Sequence, residues 1–314
     1  MMIILRRFLM NLDICGVGTL AADVLMTVDA LPGKDSFCMV THSESQPGGS
    51  GTNAVVQAAR LGCRSAYIGA TGDDEPGKVV LDSLKQEGIG TDYMEVRKGG
   101  VTTHTEVVVD QKGNKFILLI MGDAFFSLAL SDKAKEAIAG AKVFFTDLLP
   151  HKAAQEGIRL AREKGVKTAV SLQLGMSLME ELGAPRKEVL GALQYADLLL
   201  PSGDAVRDIA GTNDPYEAVK AFRNYTAGDI VFTRGEKGAV TFAKDGSVYE
   251  TAAVKVDVKD TTGAGDSFLG ALMAAYLVKG KSLKEALSFA SACAALTCTG
   301  LGARFRPKEG YPIL

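Results

Sequence analysis

The feature that most constrains this chain is a repeated alternation of short apolar runs and amphipathic stretches that begins at Ala141. Lys142–Phe145 is followed by helical spacing over His151–Lys164. Lys167–Ser171 is followed by Pro185–Gln194, and Ala196–Leu200 by Ser202–Ala210, before a further run at Ile230–Thr233. Short apolar runs without alternation suit strands buried on both faces, and strands separated by helices pair in parallel. The pattern predicts a mainly parallel sheet covered by helices on both faces.

The amino-terminal half adds a different pattern. Leu12–Gly18 is a buried-strand run closed by glycines. Asp23–Asp29 and Ser36–His42 alternate around Leu31-Pro-Gly-Lys34, and Thr103–Asp110 and Lys115–Met121 alternate around Gln111-Lys-Gly-Asn114. Alternation about such turns predicts two half-exposed hairpins, forming one small sheet apart from the main layers. Between them, Thr52–Leu61 and Pro76–Glu87 are helical by spacing, with a strand at Tyr67–Ala70. A late hairpin (Gly238–Phe242, Ser247–Glu250) and two long helices (Ala264–Lys279, Ser282–Cys298) end the chain. With no internal repeat or linker, residues 11–314 read as one α/β domain, with lid strands inserted from about 22–42 and 102–121. Residues 1–10 carry Arg6 and Arg7 within their apolar run and no small-residue cleavage site. They read as a disordered extension, or as an upstream start before Met10.

Composition excludes several function classes. A net charge of -2 gives no reason to expect nucleic acid or an anionic membrane as partner. No stretch reaches the roughly 18 apolar residues of a membrane span. Five cysteines form no C-x-x-C pair, and with three scattered histidines they offer no metal-ligand spacing. Free thiols point to a reducing cytoplasm.

Two glycine-rich runs carry the chemistry. In Asp260-Thr-Thr-Gly-Ala-Gly-Asp-Ser-Phe268, Gly263 and Gly265 allow a sharp turn between an extended Val254–Val258 and a helix beginning at Ala264. Unobstructed N–H groups at a helix start form an anion site. Asp266, in that first turn, is placed to accept a proton from an attacking hydroxyl. It equally suits a plain helix-terminal acid, worth about 0.3–1 kcal/mol. In Gln46-Pro-Gly-Gly-Ser-Gly-Thr-Asn53, glycines let backbone amides approach a polyhydroxylated ligand, and Asn53 offers both donor and acceptor, or serves as an ordinary N-cap.

These runs resemble the carboxy- and amino-terminal signatures of the PfkB (ribokinase-like) family of carbohydrate kinases, and the resemblance extends from about Leu12 to Pro307. It implies a ribokinase-like three-layer α/β/α fold with a small β-sheet lid. It implies an ATP- and Mg²⁺-dependent kinase phosphorylating a hydroxyl of a sugar or sugar acid, with Asp266 as base and the N–H groups of Gly263, Ala264 and Gly265 as anion hole. Substrate would meet Asp23, Gly48, Gly49 and Asn53. Nucleotide would meet Thr233, Gly235 and Gly238, with Ala290–Thr297 as an apolar wall for adenine. Asp260 and Thr262 match half of a monovalent-cation site, implying K⁺ there.

The chain departs from the family at Ser202 and Ala205, where Asn and Glu are common, and at Arg306, where a small polar residue is common. Ala21 and Ser50 replace the Asn and Lys of ribokinase, which argues against ribose. A nucleoside kinase of the same fold would want aromatic side chains around a base, for which Phe37, Phe125 and Phe126 are the candidates. A non-catalytic sugar- or nucleotide-sensing protein is a further alternative. A nicotinamide oxidoreductase fails, because Gly16-Val-Gly18 lacks the third glycine and no helix follows. The lid's open strand edge suggests a homodimer.

Overall fold

The computed structural model describes residues 12–112, 114–308 and 310–312, so the reading of residues 1–10 lies outside the described residues. Strand β1 (Ile14–Val17) is buried at every position, as an unalternating apolar run requires. It pairs in parallel with β4 (Ser65–Gly72) on one side and β8 (Val143–Thr146) on the other, with Ile14 opposite both Ser65 and Val143. From this centre the sheet grows outward in two directions. β5 (Gly90–Arg97) lies beyond β4; beyond β8 come β9 (Lys167–Leu172), β10 (Leu198–Pro201) and β11 (Asp229–Thr233), all parallel. The antiparallel strands β12 (Ala239–Phe242) and β13 (Val248–Thr251) complete nine.

Right-handed crossovers that step in opposite directions place their helices on opposite faces. Helices α1 (Ser50–Arg60) and α2 (Glu75–Gln86) accompany the steps toward β5. Past α3 (Asp132–Gly140), the helices α4 (His151–Glu163), α5 (Met176–Glu181), α6 (Arg186–Ala192), α7 (Gly203–Ala210) and α8 (Pro215–Phe222) accompany those toward β11. α9 (Ala264–Leu272) packs against both α1 and α10 (Leu283–Thr297). The α1–α9 crossing is close because Gly270 has no side chain: a Cβ there would collide with the Ala54 carbonyl. Phe144 and Phe145 of β8 lie in one continuous hydrophobic cluster, and truncating either to alanine would cost about 3–5 kcal/mol.

The small sheet is four-stranded, in the order β3-β2-β6-β7. β2 is Ala21–Val28, β3 Val40–Gly48, β6 His104–Asp110 and β7 Lys115–Ile120. One expectation is corrected here. The partner of β2 takes in only the end of Ser36–His42: β3 begins at Val40 and runs on to Gly48, with Val28 opposite Val40, Thr27 opposite His42 and Asp23 opposite Gln46. Thr41–Gln46 is polar throughout and largely exposed, so the pairing rests on backbone hydrogen bonds and leaves no alternation to read. The edge strand β5 and the helices α3, α5 and α8 are further elements that the sequence pattern does not predict, and Val254–Val258 forms no strand.

Candidate active site

β1 and β8 are neighbours whose crossovers leave in opposite directions, and ligand crevices form outside the carboxyl ends of such a pair. Thr19 follows β1 there and Asp147 follows β8. The Thr19 backbone N–H and hydroxyl both donate to Asp147 Oδ2, at 2.7 and 2.6 Å. Asp147 is only 2% exposed. Burial pushes its carboxyl up to about 6, against the hydrogen bonds from Thr19 and Leu149. Thr19 in turn holds the glycine loop. Its hydroxyl accepts from the Gly51 N–H at 3.1 Å, and its carbonyl accepts from the buried Tyr67 hydroxyl at 3.1 Å.

The glycines of that loop answer to the protein itself. A Cβ at Gly48 would collide with the Asp23 carboxylate, and one at Gly51 with the Tyr67 hydroxyl. Gly49 has φ +89°, and its Cβ would stand 2.6 Å from Leu20 Cα. Asp23 thereby lies directly against Gly48, and its other oxygen accepts from the Thr105 hydroxyl of β6. The structure therefore gathers Asp23, Gly48 and Gly49 at one place, where the small sheet meets α1.

Gly263 precedes α9 with φ +75°, and a Cβ there would collide with the Ala303 carbonyl. Gly265 has open space on its Cβ side, with nothing within 4 Å. The Ala264 N–H donates to the Thr261 carbonyl at 3.2 Å. Asp266, 7% exposed, accepts from Asn53 Nδ2 at 2.9 Å through Oδ2 and faces Gln173 Nε2 at 3.4 Å through Oδ1. Burial pushes the Asp266 carboxyl up to about 7; the Asn53 bond opposes the rise, the Asp147 charge adds to it, and the Arg304 charge opposes it. Asn53 is held from its other side, where Oδ1 accepts from Arg304 Nε at 2.7 Å.

Asp147, Gln173 and Arg304 were not singled out in the sequence. Asp147 carried a usable signal, an acid directly after the buried Val143–Thr146 run, at the end of a parallel strand where ligands bind. Arg304 carried none, since its partners are distant in the chain, and Gln173, whose Nε2 also donates to the nearby Ser171 hydroxyl, carried none that pointed to Asp266.

The nucleotide candidates lie elsewhere. Thr233 ends β11, four strands from β1, and no hydrogen bond among the described residues joins it to Asp266. Gly235 (φ +58°) has open space beside it, whereas Gly238 (φ +76°) is required because a Cβ would collide with the Thr251 carbonyl. Asp260 Oδ1 accepts from the Thr262 N–H and hydroxyl at 2.9 and 2.6 Å, and Oδ2 from the Gly302 N–H at 2.8 Å. Partial burial raises this carboxyl, but those bonds outweigh it and hold it below the ordinary value. Ser202 caps α7 through the Ala205 N–H at 3.2 Å, Ala205 is buried, and Asp204 pairs with Arg207. Phe125 is a core residue packed edge-on against Phe126 at 5.0 Å, and Phe37 is 92% exposed.

A carboxylate that burial pushes up to about 7, beside a glycine-opened helix start at the switch point of a doubly wound sheet, defines a site suited to phosphoryl transfer onto a hydroxyl. The chain belongs to the pfkB family of carbohydrate kinases, whose family model matches residues 11–309. It is a phosphotransferase with an alcohol group as acceptor. It is 30% identical over 273 residues to fructokinase-2 of Solanum habrochaites, covering 82% of each chain. The ribokinase of Arabidopsis thaliana, complexed with ribose and ATP, superposes with a TM-score of 0.80 at 22% identity, covering 94% of this chain and 95% of that one. A protein of the ribokinase II type from E. coli, in complex with ATP and Mg²⁺, gives 0.79 at 19% identity, with 97% and 96% covered. The expected ribokinase-like fold is thus the observed one.

Proposed function

We propose that the chain transfers the γ-phosphoryl group of ATP in line to a hydroxyl, a primary one, of a sugar or sugar acid, with Asp266 as general base. The observation that carries this reading is the buried Asp266 carboxylate, raised to about 7 and held by Asn53, one residue from the open Gly265. Asp266 takes the hydroxyl proton as that oxygen bonds to phosphorus; the bond to the β-phosphate oxygen breaks and ADP leaves. The helix-start N–H groups of Gly263, Ala264 and Gly265 face the charge spread over the transferred group, with the Ala264 N–H turning from the Thr261 carbonyl. Asp23, Gly48, Gly49 and Asn53 bind the acceptor, and Thr233, Gly235 and Gly238 bind the nucleotide. Closure of the lid excludes water.

The residues present fit Mg·ATP. Mg²⁺ keeps several waters and needs only one or two carboxylates besides the nucleotide phosphates, so a site without a protein cage is adequate. Asp204, which pairs with Arg207 at the start of α7, is the carboxylate of the Ser202–Ala205 segment that would turn to the ion on releasing that pair, and the ion would supply neutralisation of phosphate charge. Asp260 uses three of its roughly four lone-pair directions on Thr262 and Gly302, which leaves one for K⁺.

The acceptor side is rich in carboxylate: Asp23, Asp147 and Asp266 converge there, and Arg304 already makes four hydrogen bonds. This favours an uncharged sugar over a sugar acid. The core position of Phe125 disfavours a nucleoside. Phe116, Ile117, Leu118 and Leu119 of the edge strand β7 are between 39% and 55% exposed, an apolar row that the lid of a second copy would cover. The cysteines, free among the described residues, suit a cytoplasmic setting. A thermal-shift panel of fructose, ribose, gluconate and adenosine, followed by ATP consumption with whichever stabilises, tests the reading. Stabilisation by a sugar with sugar-dependent ADP release supports it; stabilisation without turnover indicates a sensing protein, and adenosine as acceptor indicates the nucleoside kinase.

A further inference from the structure

Asn53 can present either its oxygen or its amide nitrogen to Asp266, and only the nitrogen is compatible with an ionised base. We infer that Arg304 is the positioning residue that settles this choice, and that it ties the substrate loop to the helix start carrying the base. The inference rests on the reading of Asp266 as base.

An arginine side chain has donors only, so whichever Asn53 atom faces it must be the oxygen. Arg304 Nε donates to Asn53 Oδ1 at 2.7 Å, and Asn53 Nδ2 is thereby turned to Asp266 Oδ2 at 2.9 Å. The rest of the guanidinium grips the same loop. Nη2 donates to the Gly48 carbonyl at 2.9 Å and the Thr52 hydroxyl at 2.7 Å, and Nη1 reaches Ser83 Oγ of α2 at 2.8 Å. Its own backbone is fixed too. The Arg304 carbonyl accepts from Arg60 Nη1 at 2.9 Å, and Arg60 is forked onto Glu87 at 2.9 and 2.5 Å. The two preceding residues reach the anion turn: the Gly302 N–H donates to Asp260 Oδ2, and the Ala303 carbonyl lies where a Gly263 Cβ would go. One short segment thus touches the acceptor loop and the phosphoryl turn at once. A fork of donors in fixed geometry suits that task, and a lysine would not reproduce it.

The charged groups around Asp266 are Asp147 from the end of β8 and Arg304; those around Arg304 are Arg60, Glu87 and Asp266, with Tyr67 beside them. Removing the Arg304 cation leaves the Asp147 charge unopposed, so ionising Asp266 becomes harder and the acid limb of the rate profile moves to higher pH.

The test compares Arg304→Gln, Arg304→Lys and Asp266→Asn for rate against pH, using ATP and whichever of fructose, ribose or gluconate turns over fastest. Arg304→Gln should lose tenfold or more in kcat, about 1.4 kcal/mol of barrier, with a smaller rise in KM for the sugar as the Gly48–Asn53 loop loosens and the acid limb shifted upward. Arg304→Lys should keep the limb near that of the parent yet still lose kcat, since one ammonium cannot hold Asn53, Gly48, Thr52 and Ser83 together. A folded Arg304→Gln enzyme with parental kcat and limb, or one whose loss lies wholly in KM, overturns the inference. If Arg304→Gln does not fold, Arg304→Lys decides, and parental kcat there overturns it. Asp266→Asn separates the two claims: turnover retained in that variant removes the base itself, whereas its loss beside an unchanged Arg304→Gln removes only the role of Arg304.

Discussion

The Asn53 amide donates to the Asp266 carboxylate at 2.9 Å, joining the first turns of α1 and α9 across 213 positions of the chain. That contact depends on how closely the two helices approach, and the approach depends on Gly270 against the Ala54 carbonyl. Gly270→Val should push the helices apart and destabilise the protein by about 1–3 kcal/mol in urea unfolding, with turnover lost beyond what the stability change explains. Unchanged stability would mean that the crossing has more room than the structure shows.

The pH dependence of catalysis follows from the Asp266 carboxyl at about 7. The base must be ionised to act, so kcat/KM should rise with pH and level off above about 7. An acid limb near the ordinary carboxylate value of 3.8 would contradict the burial argument.

Stability should respond with the opposite sense. A carboxyl raised on folding binds its proton more tightly in the folded state, so folding loses stability as pH climbs from about 4 toward 7. Asp147, at about 6, acts in the same direction. Asp266→Asn removes this penalty, and the introduced amide can turn its oxygen toward Asn53. Its Tm should exceed that of the parent by roughly 2 °C or more at pH above 7, the two converging in acid. Equal Tm values at alkaline pH would show that the carboxylate is stabilised more fully than its hydrogen bonds indicate.

The two glycines of the anion turn should separate structure from binding. Gly263→Ala meets both φ +75° and the Ala303 carbonyl, and should lower stability by more than about 1 kcal/mol. Gly265→Ala meets open space, and should leave Tm unchanged while raising KM for ATP. Similar behaviour of the two variants in both assays would place the nucleotide away from this turn.

Much of this arrangement was legible in the chain, for reasons particular residues show. Ile14–Val17 and Val143–Phe145 are buried on both faces, so they read as unbroken apolar runs. Asp266 and Asn53 stand beside glycines whose spacing marks the turns. The extent of β3 is hidden in the sequence because Thr41–Gln46 is solvated and carries no periodicity. The reasons for Gly48 and Gly49 also changed: they yield to Asp23 and Leu20 of the same chain. Arg304 was illegible because its five acceptor and donor partners lie on α1, on α2 and at the end of β3, contacts that exist only after folding.

The most direct measurement of the central claim is single-turnover phosphoryl transfer by Asp266→Asn, with ATP and sugar binding confirmed by thermal shift in the same preparation. Asp266 as base predicts near-parental binding with a transfer rate reduced more than about tenfold, a barrier change above roughly 1.4 kcal/mol. Transfer within tenfold of the parent, with both ligands bound, would contradict it.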